Sequence, residues 1–229
     1  SLLSGREVVG PGVLDAEEWA RLRFITGAAC ARCGLPFEIE VDADQACGAC
    51  LASLPAYDRA RAALEYGDAS RDMILALKHR GLRDGLATFA GWTPVPLHYL
   101  RLVRRGFNQS AWLAAALGRR TGVPVCVDAL VRSRATPIQG GLSADGRRRN
   151  VQGAFRLRAS RLARIRDKRV VLVDDVLTTG ATAEACARAL KRSGAAQVDV
   201  LTLARVAAPR PPSRSPAAPD ACARRGRLR

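Results

Sequence analysis

The segment of the chain best suited to chemistry runs from Arg169 to Thr182 and has the sequence RVVLVDDVLTTGAT. Its apolar, β-branched start is typical of a buried parallel strand, and the residues from Ala181 onward favour a helix. Between strand and helix lie two carboxylates, two hydroxyls and a glycine: Asp174, Asp175, Thr178, Thr179 and Gly180. Such a loop binds phosphate through backbone N–H groups and the helix dipole. Because strand-end carboxylates can hold a sugar diol and attract a divalent cation, the segment predicts a ribose phosphate site.

Four of the seven cysteines form two Cys-x-x-Cys pairs, Cys30 with Cys33 and Cys47 with Cys50, separated by 13 residues. Each short turn can present two sulfurs to one ion, so the spacing predicts a structural Zn2+ site closed by four thiolates. The alternative is a pair of disulfides in a secreted domain. The odd number of cysteines and the lack of a signal peptide at the start of this sequence argue against it and predict a cytoplasmic location.

The predicted sites need a scaffold, and the sequence alternates strand and helix patterns. Strands or extended segments are expected at Tyr57–Tyr66, Val125–Leu130, Val170–Val173 and Val198–Leu203. Helices are expected at Asp15–Phe24, Ala69–Lys78, Gln109–Thr121 and Ala181–Ser193. This alternation predicts an α/β fold with a mostly parallel sheet flanked by helices. Ligands in such folds bind beyond the carboxyl ends of the strands, where Asp174 and Asp175 are expected.

Composition excludes several classes of protein. With 48% hydrophobic residues among 229, the chain can bury a core, so wholesale disorder is excluded. No apolar run approaches the ~20 residues of a membrane helix, so we expect a soluble protein without a membrane span. The formal charge of +16 favours a polyanionic partner. The segment 207–229 is rich in Pro, Ala, Ser and Arg, which predicts a flexible basic tail.

The positive charge is concentrated in residues 101–169, which hold 17 basic and 3 acidic residues, net +14. Five arginines of this segment are candidate ligands for phosphate groups: Arg132, Arg134, Arg147, Arg148 and Arg149. Three interpretations stay open. The arginines could neutralise a pyrophosphate, contact the phosphates of single-stranded DNA, or simply coat the surface. The low aromatic content of 5% does not favour a base-stacking platform.

The segment Arg169–Thr182 resembles the phosphoribosyl pyrophosphate (PRPP) motif of type I phosphoribosyltransferases. The resemblance implies that Asp174 and Asp175 hold the ribose hydroxyls and serve as the catalytic carboxylates. It also implies a loop around the 5-phosphate formed by Asp175, Val176, Leu177, Thr178, Thr179, Gly180, Ala181 and Thr182. Mg2+ would accompany PRPP in such a site.

Further motifs resemble the ComF family (ComF, ComFC or GntX-like). These motifs are the four-cysteine knuckle, Lys78–Gly81, Pro94–His98, Arg104–Gln109, Arg134–Gln139, Arg147–Val151 and Gly153–Phe155. The stretch that contains Arg104 and Arg105 is similar to one that handles pyrophosphate in glutamine amidophosphoribosyltransferases. Only twelve residues separate Gly81 from Pro94, fewer than the family's helix and first core strand normally need.

The resemblance implies four regions: an N-terminal extension at 1–28, a zinc knuckle at 29–55, a phosphoribosyltransferase-like domain at 56–206 and the tail at 207–229. It also implies a link to DNA uptake in natural competence, with PRPP or a related phosphorylated sugar, single-stranded DNA and competence proteins as partners. Two function classes remain open. One is a PRPP-binding protein that could transfer the phosphoribosyl group, and the other is a non-catalytic single-stranded DNA-binding module that keeps the same fold.

Overall fold

The computed structural model describes residues 6–8, 14–79, 93–96, 108–134 and 144–207, without the side chains of 75–79, 144, 145 and 147. The helices are α1 (Ala16–Ala20), α2 (Gly48–Ala52), α3 (Asp68–His79), α4 (Gln109–Thr121), α5 (Ala144–Val151), α6 (Leu162–Ile165) and α7 (Ala181–Arg192). The strands are β1 (Arg59–Glu65), β2 (Thr93–Pro94), β3 (Leu130–Arg132), β4 (Phe155–Leu157), β5 (Arg169–Leu177) and β6 (Gln197–Arg205). Among these helices, none has the length and apolar composition to cross a bilayer.

Four strands form a parallel sheet in the order β1-β6-β5-β2. The predicted α/β class with a mostly parallel sheet flanked by helices is therefore confirmed. Strands β3 and β4 pair antiparallel in a separate small sheet. The two central strands, β5 and β6, are joined through helix α7, as expected for parallel neighbours that need a crossover connection.

Strand β5 is covered on both faces because its side chains alternate between two helices. Leu172, which is fully buried, packs in the cluster that contains Cys186 and Leu190 of α7. Its neighbour Val173 packs with Leu113 of α4 on the opposite face. Burial of each such aliphatic side chain contributes about 1.5–3 kcal/mol, so β5 is held firmly up to the point where its carboxylates begin.

The four-cysteine knuckle packs directly on the sheet. Its cysteines belong to the same buried cluster as Tyr57 and Ala60, at the start of β1. The Ala60 N–H donates to the Arg32 carbonyl oxygen at 2.6 Å. Gly34 has φ +65°, and a Cβ there would lie 2.6 Å from the Ala60 carbonyl oxygen, so only glycine fits. The knuckle and the sheet therefore share one core.

The prediction of a strand at Val125–Leu130 is wrong except for its last residue. Residues 122–126 have no regular structure, and strand β3 begins only at Leu130. Pro124 has no N–H to donate, and the Ala129 N–H donates to the Cys126 carbonyl in a turn. Val127 is 53% exposed, so the apolar run that suggested a buried strand lies partly on the surface.

Candidate functional site

Asp174 and Asp175 lie near the carboxyl end of β5, as predicted, and both are half-buried. The Oδ1 atom of Asp174 accepts a hydrogen bond from the Ser110 hydroxyl at 2.9 Å and from the Asp175 N–H at 3.0 Å. The Oδ1 atom of Asp175 accepts from the Val176 N–H at 2.7 Å. These contacts fix both carboxylates, which is the arrangement needed to receive the hydroxyls of a sugar.

Helix α4 reaches this edge of the sheet with its first turn. Asn108 caps the helix through Oδ1, which accepts from the Ser110 N–H at 3.1 Å. Its Nδ2 donates to the Val95 carbonyl, just beyond β2, at 3.0 Å. Gln109 is buried, and its Nε2 finds no hydrogen-bond acceptor within the described residues. The predicted Arg104 and Arg105, by contrast, lie outside the described residues.

The carboxyl end of β5, the compact turn after it and the first residues of helix α7 form one continuous segment. We call residues 174–182 the phosphate loop. Thr178 and Thr179 are exposed, whereas Gly180 and Ala181 are buried. Gly180 occupies the N-cap of α7 at φ +79°, and the structure gives no side-chain cap there. The hydroxyls and the amino end of α7 thus stand at the same sheet edge as the two carboxylates, which favours a phosphate there.

The four cysteines of the knuckle form a buried cluster whose sulfur atoms all lie within 4.8 Å of one another. The sulfurs of Cys33 and Cys47 are 3.7 Å apart. Four sulfurs around one zinc ion at about 2.3 Å lie about 3.8 Å apart at the corners of a tetrahedron. The donor set can therefore hold a metal ion, and its chemistry fits Zn2+.

Three of the four thiols differ in how readily they ionise. Burial raises the pKa of Cys30, but the backbone N–H groups of Cys33 and Cys47 outweigh it and bring the pKa to about 6. Burial raises the pKa of Cys33 and, with the neighbouring Cys33 sulfur, that of Cys50. Thiols that resist ionisation in this pocket need a cation to become ligands together.

A buried arginine lies against the four-cysteine cluster. Arg205, at the end of β6, is 8% exposed, and its Nη2 donates to the Cys33 sulfur at 3.3 Å. Its Nε is buried without a hydrogen-bond acceptor in the described part of the chain. A buried guanidinium is stable only beside negative charge, which four thiolates around a divalent ion provide.

The predicted arginines separate into different environments. Arg134 is exposed, and its Nη2 donates to the carbonyls of Asn150 and Gln152 near the end of α5. Arg147 lies on α5, and its side chain is not among those that the structure describes. Arg148 and Arg149 line a groove of about 340 Å³ between α5 and α7.

The groove contains two further arginines, Arg188 and Arg192, which lie on the face of α7 that turns toward α5. Arg188 forms a salt bridge with Glu184 at 2.8 Å, and Ala181 of the phosphate loop lines the same groove. The groove is therefore basic and begins beside the phosphate loop. We name it the α5–α7 groove.

Five residues of the site were not predicted from the sequence. Ser110, Tyr57 and Arg205 come from separate elements, and only their tertiary contacts bring them to the carboxylates, the loop and the cysteines. Arg188 and Arg192 could have been predicted as a basic surface, since they are spaced i, i+4 on a predicted helix whose other face is apolar.

Comparison with known proteins identifies the family to which the chain belongs. The family model described as "Phosphoribosyl transferase domain" matches residues 60–218. The "DNA utilization protein YhgH" of Escherichia coli O157:H7 is 35% identical over 196 residues, covering 77% of this chain and 83% of that protein. The "Competence protein F" of Haemophilus influenzae is 32% identical over 196 residues, covering 77% of this chain and 84% of that protein. The chain is therefore a ComF-type member of the phosphoribosyltransferase domain family.

Proposed function

We propose that this protein binds PRPP, or a closely related ribose 5-phosphate compound, together with Mg2+, in the handling of DNA. The observation that supports the proposal most directly is the phosphate loop, where two fixed carboxylates precede two exposed threonines and the amino end of α7. In this assignment Asp174 and Asp175 hold the ribose hydroxyls, and residues 178–182 bind the 5-phosphate. The link to DNA is supported by the names of the relatives in Escherichia coli and Haemophilus influenzae.

Transfer chemistry at this site would need little from the protein beyond charge and position. The bond between the anomeric carbon and pyrophosphate breaks, its electron pair leaves with pyrophosphate, and an acceptor nucleophile bonds to that carbon. Asp174 and Asp175 orient the ribose and favour the positive charge that develops on the sugar. Mg2+, when bound beside these carboxylates, supplies charge neutralisation for the pyrophosphate.

The two metal assignments rest on different donor sets. We propose Zn2+ for the four-cysteine cluster, because buried sulfur ligands at these separations suit it. Mg2+ belongs with the oxygens of Asp174 and Asp175 and of the sugar phosphate, because it prefers hard oxygen ligands and keeps several waters.

Calorimetric titration with PRPP and Mg2+ tests the proposal. Wild type should bind saturably with one site, and Asp174→Asn and Asp175→Asn, which keep the side-chain size, should each weaken binding at least about tenfold. Asp199→Asn is the matched control, since Asp199 lies on β6 and accepts from Gln197 away from the loop. No saturable binding by wild type, or equal binding by all three variants, would contradict the proposal.

A second candidate function is binding of single-stranded DNA along the α5–α7 groove. Its basis is the convergence of Arg148, Arg149, Arg188 and Arg192 on one groove, with Glu184 as its acidic member. Arginines that line a groove can follow a phosphate backbone without reading its sequence. The groove and the phosphate loop are neighbours, so the two functions are compatible.

Fluorescence anisotropy with a labelled single-stranded oligonucleotide tests this second function. Affinity should fall with rising salt, and Arg188→Ala/Arg192→Ala should lower the slope of log affinity against log salt by about 1.4 for two lost phosphate contacts. Arg119→Ala/Arg120→Ala removes the same charge from two exposed arginines at the end of α4 and should change the slope less. Equal losses in both double variants would leave only non-specific attraction to a basic protein.

A further inference from the structure

The four-cysteine cluster and the phosphate loop are separated by the 123 residues that lie between Cys50 and Asp174, yet two residues connect them in space. We propose that Arg205 and Tyr57 are positioning residues that couple the metal centre to the shape of the phosphate loop, so that binding of a ribose phosphate depends on the bound metal. This proposal rests on the proposed function for its ligand. Its structural part concerns only the cysteines, the two positioning residues and the loop.

The first connection runs through Arg205. In the parallel pairing of β5 with β6, Arg205 lies opposite Leu177, the residue directly before Thr178. The next N–H, that of Val206, donates to the Leu177 carbonyl at 3.0 Å. The side chain of Arg205 donates through Nη2 to the Cys33 sulfur at 3.3 Å. One residue thus contacts a sulfur of the four-cysteine cluster and aligns with the last residue of β5, directly before the exposed threonines of the phosphate loop.

The second connection runs through Tyr57, which is 5% exposed and packs in the same buried cluster as the four cysteines. Its phenol oxygen lies 3.3 Å from the position that a Cβ on Gly180 would occupy. The preceding residue, Ala56, donates its N–H to Oε1 of Glu184 in the first turn of α7 at 3.3 Å. The segment that leaves the knuckle therefore packs against the point where the loop becomes a helix.

The two connections contact both ends of the exposed part of the loop. Arg205 aligns with its entry at Leu177, and Tyr57 packs at its exit at Gly180. Thr178 and Thr179 lie between them and are exposed, so the loop owes its support to these flanking positions. A change at the metal centre can reach the phosphate-binding residues through either residue.

A bound metal gives Arg205 a fixed partner. Four sulfurs held around one divalent ion keep the Cys33 acceptor in place and leave net negative charge beside the guanidinium. Without the metal, nothing holds the four sulfurs together, and the buried Arg205 side chain loses its fixed acceptor. A buried cation without its partner must rearrange, and Leu177 is the residue aligned with it.

The test compares Arg205→Met with Arg61→Met. Arg61 also donates to the knuckle, through the carbonyls of Cys30 and Ala31, but it lies on β1 and pairs with no residue of the loop. Two readouts need no ribose phosphate: the rate of zinc release to a chromogenic chelator, and hydrogen–deuterium exchange of the amides of residues 174–185. A third readout is PRPP affinity by calorimetry.

We expect Arg205→Met to release zinc about tenfold faster, as is typical when an outer-shell partner of a ligand is lost. The same variant should show at least about tenfold faster amide exchange in residues 174–185, while Arg61→Met resembles wild type there. Chelation of wild-type protein should accelerate exchange in the same residues. If wild type fails to bind PRPP, the proposed function fails, but zinc release and exchange still decide the coupling.

Three outcomes would overturn the coupling. Zinc release could accelerate with no change in loop exchange, loop exchange could rise with no change in zinc release, or Arg61→Met could match Arg205→Met. If Arg205→Met does not fold, Arg205→Lys and Tyr57→Phe replace it, because each keeps the bulk of the side chain. Amide exchange in Arg205→Lys should then lie between that of wild type and that of chelated wild type. Unchanged exchange in both milder variants would also contradict the proposal.

Discussion

Gly180 offers the sharpest perturbation of the phosphate loop, because its backbone conformation and its neighbour are both defined. Its φ of +79° lies in the left-handed region, which costs a residue with a Cβ about 1–2 kcal/mol. A Cβ at Gly180 would also lie 3.3 Å from the phenol oxygen of Tyr57, closer than ordinary contact distance. Gly180→Ala should therefore destabilise the native protein by about 1–2 kcal/mol.

The same substitution should weaken ligand binding. In the variant, the free loop relieves strain by leaving the left-handed conformation, and a bound phosphate must restore it. The affinity for PRPP should then fall by up to the same 1–2 kcal/mol, which is about 5- to 30-fold. Chemical denaturation measures the first effect, and calorimetric titration with PRPP and Mg2+ measures the second.

Gly122→Ala is the matched control for Gly180→Ala. Gly122 has φ +71° at the end of α4, and no heavy atom lies within 4 Å of its added Cβ. Its stability loss should be similar, about 1–2 kcal/mol, but PRPP affinity should be unchanged. Wild-type affinity in Gly180→Ala, together with a loss of stability smaller than that of Gly122→Ala, would show that the free loop has relaxed without any cost to binding and would refute the assignment of the loop as the phosphate site.

Three further predictions concern other parts of the molecule. Chelation of zinc, or Cys47→Ser, should lower the free energy of unfolding by several kcal/mol in denaturant titrations, and equal stability of metal-free and metal-loaded protein would contradict a structural metal. Arg148→Ala/Arg149→Ala should weaken binding of single-stranded DNA more at low than at high salt in anisotropy titrations, and a salt-independent loss would exclude phosphate contacts. Burial raises the pKa of Asp58, but the Val198 N–H and the Lys191 ammonium outweigh it and hold the pKa below its usual range. That stabilisation is present above the unfolded pKa of about 3.9 and is lost as pH falls through the lower folded pKa, so Asp58→Asn should remove about 1 kcal/mol at pH 6, where solvent screens part of the ion pair, and progressively less as pH falls below about 3.9.

The local patterns of the sequence predicted the central elements well. The strand before Asp174 is β-branched and the helix after Gly180 is rich in alanine, so periodicity and composition were sufficient to place the loop between them. Helix α4 was predicted at its observed bounds, because Gly122 gives it a clear end signal. The two Cys-x-x-Cys pairs predicted one compact cluster, since ligand spacing is itself local.

The sequence did not predict the contacts that cross the fold. Ser110 reaches Asp174 only because α4 packs on β5, and Arg205 reaches Cys33 only because β6 ends beside the knuckle. The prediction of a strand at Val125–Leu130 was wrong because an apolar run of this length does not distinguish a buried strand from a partly exposed turn. Parts of the predicted pyrophosphate site, Arg104 and Arg105, lie outside the described residues and stay predictions.

The central claim is that residues 174–182 hold a phosphorylated ribose. A crystal structure of the zinc-loaded protein with PRPP and Mg2+ tests it most directly. We expect the 5-phosphate within hydrogen-bond distance of the backbone amides of residues 178–182, and the ribose hydroxyls on Asp174 and Asp175. Ligand bound only in the α5–α7 groove, or an empty loop at a concentration that saturates the protein in calorimetry, would contradict the account.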